Sequence, residues 1–72
     1  MSYDAARIYK KVEIIGISTE GYEAAIQAGI SKAHQSLQGI SWFEVQEMRG
    51  HVDSEGRISE YQVVIKVAFE LN

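Results

Sequence analysis

Trp42 is the one tryptophan in a chain of 72 residues, and it stands in a stretch whose apolar and polar residues alternate, Gly39 to Gly50. A period of two is the pattern of a strand with two different faces. Phe43 and Val45 mark the face that suits a core. Trp42, Glu44, Gln46 and Met48 fall on the other. An indole turned away from the core offers a flat π surface either to a ligand or to a neighbouring subunit, and the spacing alone leaves both readings open. Gln62 has the same parity in a later strand. Its amide brings one acceptor and two donors, although taken alone it is most simply a solvated strand residue.

The other polar residues point to little chemistry. The chain has no cysteine, which removes disulfides, thiolate metal sites and thiol nucleophiles together. His34 and His51 have no metal-motif spacing and read as surface residues. Asp53 and Glu55 make an acidic turn, for which a solvated loop is the ordinary explanation. Glu44 and Glu47 could act as acid and base, but nothing in the sequence builds a cleft around them. There is no Gly-rich phosphate loop and no Ser/His/Asp constellation, so no enzyme is expected. A net charge of -3 and a pI near 5.2 argue against nonspecific nucleic-acid or anionic-membrane binding. No apolar run is long enough to span a bilayer and no secretory h-region is present, which makes a cytoplasmic protein the expectation.

The elements that must position Trp42 and Gln62 follow in order. One domain is expected over 1–72, with 1–6 a patternless leader. Arg7–Ile15 is rich in β-branched residues and reads as a strand closed by Gly16, with Ile8, Val12 and Ile14 on one face and Lys10 interrupting it. Ser18 suits a helix N-cap. From Thr19 to Gln38, Tyr22, Ala25/Ile26, Gly29/Ile30, Ala33 and Leu37 recur at helical spacing, and Gly39 is the expected stop. Ser41–Val52 is the second strand, Asp53–Arg57 a turn, and Ile58–Leu71 the third strand, whose odd positions from Tyr61 onward are nearly all apolar.

These elements predict an α+β fold, β-α-β-β, with a three-stranded, antiparallel-type sheet of order 1-3-2 packed on one helix. A helical crossover makes strands one and two parallel to each other, and a hairpin joins strands two and three. Opposing Glu44 to Lys66 sets that register, with Trp42 against Ala68 and Gln46 against Val64. Glu47 and Arg49 would then lie on the core face, so a β-bulge is expected between Gln46 and Met48. A third strand of about 14 residues is roughly 46 Å long, and one helix cannot cover both faces of such a sheet. The second face, with Trp42, Met48, Val64 and Ala68, is expected to meet another subunit, a ligand, or both. Without disulfide or metal, self-association is also the leading way to stabilise so small a core.

Lys10-Lys11-Val12-Glu13-Ile14-Ile15-Gly16, Ser18-Thr19-Glu20-Gly21 with Ala24-Ala25-Ile26, Trp42-Phe43-Glu44-Val45, Arg49-Gly50, Tyr61-Gln62-Val63 and Val67-Ala68-Phe69-Glu70-Leu71 occur in an order that resembles the dodecin family. The resemblance runs from about Ile8 to Leu71. It implies a homo-oligomeric flavin-binding protein, a dodecamer: hollow shells of twelve subunits holding riboflavin or FMN as stacked pairs near two-fold axes. It further implies that Trp42 stacks on the isoalloxazine ring and quenches it, that Gln62 hydrogen-bonds the ring edge, and that the protein stores or sequesters flavin. Lys10 and Arg49 are the candidates for the phosphate of a mononucleotide. Some relatives also bind coenzyme A. Here Glu70 stands where some of them carry arginine, and the helix keeps only Lys32 and His34 toward its end, which weakens that expectation. The competing readings are a structural homo-oligomer without flavin, and a coenzyme A or nucleotide carrier using Lys32.

Overall fold

The computed structural model describes residues 6–71, so the leader expected over 1–6 lies, apart from Ala6, outside the described residues. The elements are β1 (Tyr9–Ser18), α1 (Tyr22–His34), β2 (Ile40–Val52) and β3 (Ile58–Glu70). β3 is central, the order is β1-β3-β2, and both neighbours pair with it antiparallel. β1 and β2 therefore run in the same direction, as a helical crossover requires. The odd positions of β3 build the core. Val63, Ile65 and Val67 are fully buried together with Ala25 of α1, ringed by Val12, Ile14, Ile26, Ile30 and Leu37 among others. Each such aliphatic side chain contributes about 1.5–3 kcal/mol. Tyr22 closes one end by meeting Tyr61 edge to face, with centroids 5.1 Å apart.

Three boundaries differ from the sequence expectation by three residues or more, each for a local reason. Gly16 does not close β1, which continues to Ser18. It sits where α1 comes closest, and a Cβ there would collide with the Ala25 carbonyl oxygen. The helix begins at Tyr22 rather than Thr19. The Ser18 hydroxyl accepts from the Glu20 N–H at 2.9 Å in the turn before it, and Gly21 occupies the N-cap without a side-chain bond. The helix ends at His34 rather than Gln38, because Ser36 and Leu37 both donate to the Ala33 carbonyl and tighten the last turn. Gly39 is therefore no helix stop. At φ 77° it turns the chain into β2, and its carbonyl accepts from the Glu70 N–H at 3.1 Å.

The hairpin register holds at Trp42 opposite Ala68, Phe43 opposite Val67, Glu44 opposite Lys66 and Val45 opposite Ile65. Next comes the expected bulge: Glu47, not Gln46, faces Val64, so Gln46 is the extra residue. The slip sends Glu47 and Arg49 outward. It also turns Met48 to the helix side, opposite Val63, which corrects its placement beside Trp42. In the turn, the Asp53 carboxylate accepts the N–H groups of Glu55 and Arg57, both at 2.9 Å, and Gly56 takes φ 81°.

The helix lies mainly over β1 and β3, so Phe43, Val45 and Met48 on the helix side of β2 stay exposed. The chain measures 64 × 20 × 14 Å with a radius of gyration of 15.6 Å. A compact domain of this length would have about 11 Å. No helix among the described residues is long and apolar enough to cross a membrane.

Candidate functional site on the open face of the sheet

The face of the sheet opposite α1 carries the even positions of β3, and pairing brings Tyr9, Lys11, Glu13, Ile15 and Ile17 of β1 onto it. Trp42 lies on this face because its partner is Ala68, and it is 43% exposed. Alanine there leaves room above the central strand, and aromatic rings from both edge strands meet across it. The Tyr9 and Trp42 centroids are 4.9 Å apart at an interplanar angle of 50°. The Trp42 Nε1–H donates to Glu44 Oε2 at 3.0 Å. Lys11, reaching over from β1, donates Nζ–H to Oε1 and Oε2 of the same carboxylate at 3.1 and 3.2 Å. Glu44 is thereby held below the ordinary carboxylate range, first by the indole N–H, then by Lys11, with Lys66 opposite it adding attraction.

The other end of the face belongs to Gln62. Arg49 stands opposite it once the bulge has shifted the register, and the Arg49 Nε–H donates to Gln62 Oε1 at 2.8 Å. The Gln62 Nε2–H donates to Glu60 Oε1 at 3.2 Å, and Arg49 Nη1 reaches Glu47 Oε1 at 3.4 Å. With its oxygen occupied by Arg49, the amide presents chiefly donors to anything approaching from outside.

Three of the four residues singled out in the sequence thus share this face: Trp42, Gln62 and Arg49. Arg49 and Gln62 meet directly. Trp42 does not meet them, because Ala68 and Gln62 are six residues apart on β3, roughly 20 Å along a strand. Lys10 pairs with Phe69 and belongs to the helix side, so the fold does not bring it to Trp42. Its neighbour Lys11 takes that place. The signal for Lys11 was the strand period: if Ile8, Lys10, Val12 and Ile14 face the helix, Lys11 cannot. Tyr9 follows from the same parity. The link from Glu44 to Trp42 lies within one strand face, at a separation of two residues, which the sequence pattern allowed without requiring. Lys32 lines a groove of about 420 Å³ between α1 and β1, with Ile14, Gly29 and Leu37, away from Trp42.

Comparison with known proteins decides the family. The family profile for Dodecin matches residues 8–72. The chain belongs to the dodecin family. It is 51% identical over 65 residues to the dodecin of Thermus thermophilus, covering 90% of this chain and 93% of that one. It is 33% identical over 64 residues to the calcium dodecin of Mycobacterium tuberculosis, covering 89% of each. A crystal structure of a Thermus thermophilus protein superposes with a TM-score of 0.87 at 49% identity, over 93% of this chain and 97% of that one. The β-α-β-β topology with sheet order 1-3-2 is therefore that of a dodecin.

Proposed function

We propose that this dodecin binds a flavin, riboflavin or FMN, and stores it, with the isoalloxazine ring stacked on Trp42 where two copies of the chain meet. The observation that carries the reading is Trp42 itself: a large aromatic, nearly half exposed, on an open sheet face, with its N–H tied down and its neighbour Ala68 too small to obstruct a flat ligand. Offset stacking on an indole contributes about 0.5–1.5 kcal/mol beyond the area it buries.

The donor set at the far end fits the same ligand. A flavin edge presents carbonyl oxygens, and Gln62 with Arg49 presents N–H groups. The roughly 20 Å between the two ends prevents one chain from stacking a ring and holding its edge at once. A two-fold axis places the Trp42 end of one copy beside the Gln62 end of the other and encloses two ligands together. The stretched shape and the exposed Ile15, Ile17 and Trp42 support such an assembly, and a closed shell of twelve is the form proposed for it.

When bound, the flavin supplies visible absorption and fluorescence. The chain supplies an electron-rich ring in contact with it, which quenches the excited state, and a covered interface, which excludes water. Arg49 is the residue proposed for a mononucleotide phosphate; Lys10, on the helix side, is left out. Calcium, named for the Mycobacterium relative, is not carried over, since no group of three or more His, Asp or Glu side chains that could hold a metal occurs among the described residues. The test is to titrate riboflavin and FMN with purified protein and follow flavin fluorescence. Saturable quenching supports the proposal. Undiminished fluorescence at micromolar protein refutes it and leaves a structural oligomer as the reading.

A further inference from the structure

The indole of Trp42 is held on two sides before any ligand arrives. Its Nε1–H is bonded to Glu44, and Tyr9 leans on the ring from β1. Glu44 is itself anchored, because Lys11 grips both of its carboxylate oxygens from the opposite edge strand. The three side chains bridge the full width of the sheet over Ala68, from β2 across β3 to β1. The carboxylate uses acceptor positions on both oxygens, so its plane is set by two different donors and cannot rotate without losing one of them. The χ2 torsion of an indole is otherwise broad, so on an exposed strand it does not fix the plane of the ring by itself.

We propose that Glu44, locked by Lys11, is a positioning residue for Trp42: it fixes the plane of the indole so that one face stays open for stacking. The inference rests on the flavin reading for its purpose, but the positioning is a property of the protein alone. It predicts an acid-sensitive ring, since protonating Glu44 weakens both bonds at once. The charged groups that face Glu44 are Lys11 and, two residues along β1, Glu13; Lys66 on β3; and Glu47 beyond the bulge on β2. Glu13 and Glu47 are carboxylate side chains as well, so the Glu44→Gln variant is the needed control.

The experiment uses the full chain without ligand and the indole N–H hydrogen-bond marker band in its ultraviolet resonance Raman spectrum. Trp42 is the one tryptophan, so the band has a single source. In the parent at neutral pH the band should report a strong hydrogen bond. Glu44→Ala should move it toward the position of an indole bonded only to water, and Glu44→Gln should weaken the bond relative to the parent, because an amide oxygen accepts roughly half as strongly as a carboxylate. Acidification should move the parent's band and leave that of Glu44→Gln in place. Riboflavin, added second, should bind Glu44→Ala about three- to tenfold more weakly, as for an exposed charge-assisted bond, with oligomer size unchanged. An unmoved band in Glu44→Ala overturns the positioning role. A moved band with parent-like riboflavin affinity overturns its relevance to stacking. If the bands behave as stated and riboflavin fails to bind even the parent, the positioning stands and the flavin reading falls.

Discussion

Replacing Gly16 by alanine tests the packing that holds the site. The residue is buried near the C-terminal end of β1, and an added methyl would fall on the backbone carbonyl of Ala25, a residue with no exposed surface. A flexible side chain could swing aside, but a helix backbone cannot, so α1 must lift from the sheet. Overpacking of this kind costs about 1–3 kcal/mol, and contact with main chain argues for the upper end, about 3. Alanine recovers about 0.5–1 kcal/mol of the penalty for glycine within a strand. The net loss is then about 2 kcal/mol, which lowers the melting midpoint of a chain this size by roughly 8–16 °C. Gly21→Ala is the control. Nothing lies within 4 Å of the Cβ it would add, its φ of 161° is extended, and the change should be neutral or stabilise by about 0.4–1 kcal/mol. Urea and thermal unfolding followed by circular dichroism at equal chain concentration would measure both. A Gly16→Ala protein that melts within a few degrees of the parent would refute the close approach of α1 to β1.

Other consequences can be checked with the same preparations. Asp53→Ala removes the acceptor for two backbone N–H groups in the β2–β3 turn; it should cost about 1 kcal/mol and speed amide exchange at Glu55 and Arg57, and unchanged exchange would contradict the turn geometry. Glu44 carries a lowered carboxyl pKa in the folded chain. Its contribution to stability is therefore present above the ordinary carboxylate range and is lost as pH falls through the lowered value. The stability gap between the parent and Glu44→Gln should close on acidification, and a gap that widens in acid would show the sign to be wrong. Trp42→Ala should weaken flavin binding by about 2 kcal/mol or more, some 30-fold in Kd, as for a truncated aromatic anchor, while leaving oligomer size unchanged; parent-like affinity by titration would remove Trp42 from the site.

The sheet order was legible because the third strand is the most apolar, and the hairpin and even its bulge because each leaves a mark in the period of two. Glu47 and Arg49 break the alternation between Val45 and Gly50, and only an extra residue reconciles them with the face of Lys66. What the bulge does to Met48 is the same parity change read one residue further. Gly16 was misread because a glycine after a run of β-branched residues marks a strand end as readily as a close contact, and the contact depends on where a helix lands. Ser18 and Gly39 likewise have cap chemistry, but turns before and after α1 use it instead. Within the site, Trp42 and Gln62 could be placed on one face from parity alone, and Arg49 joins them only through the bulge. The 20 Å gap between its ends, estimated at about 3.3 Å per residue, was implicit in the register. The cluster of Tyr9, Lys11 and Glu44 was not, since its members reach over a central strand, and side-chain reach has no signature in spacing.

Titration of riboflavin against the purified, sized protein asks whether the face bearing Trp42 stacks flavin where copies of the chain meet. The expected result is saturable quenching of flavin fluorescence, a yellow colour that travels with an assembly much larger than 8.1 kDa, and quenching that falls sharply in Trp42→Ala. A large assembly that stays colourless and leaves riboflavin fluorescence untouched would contradict it.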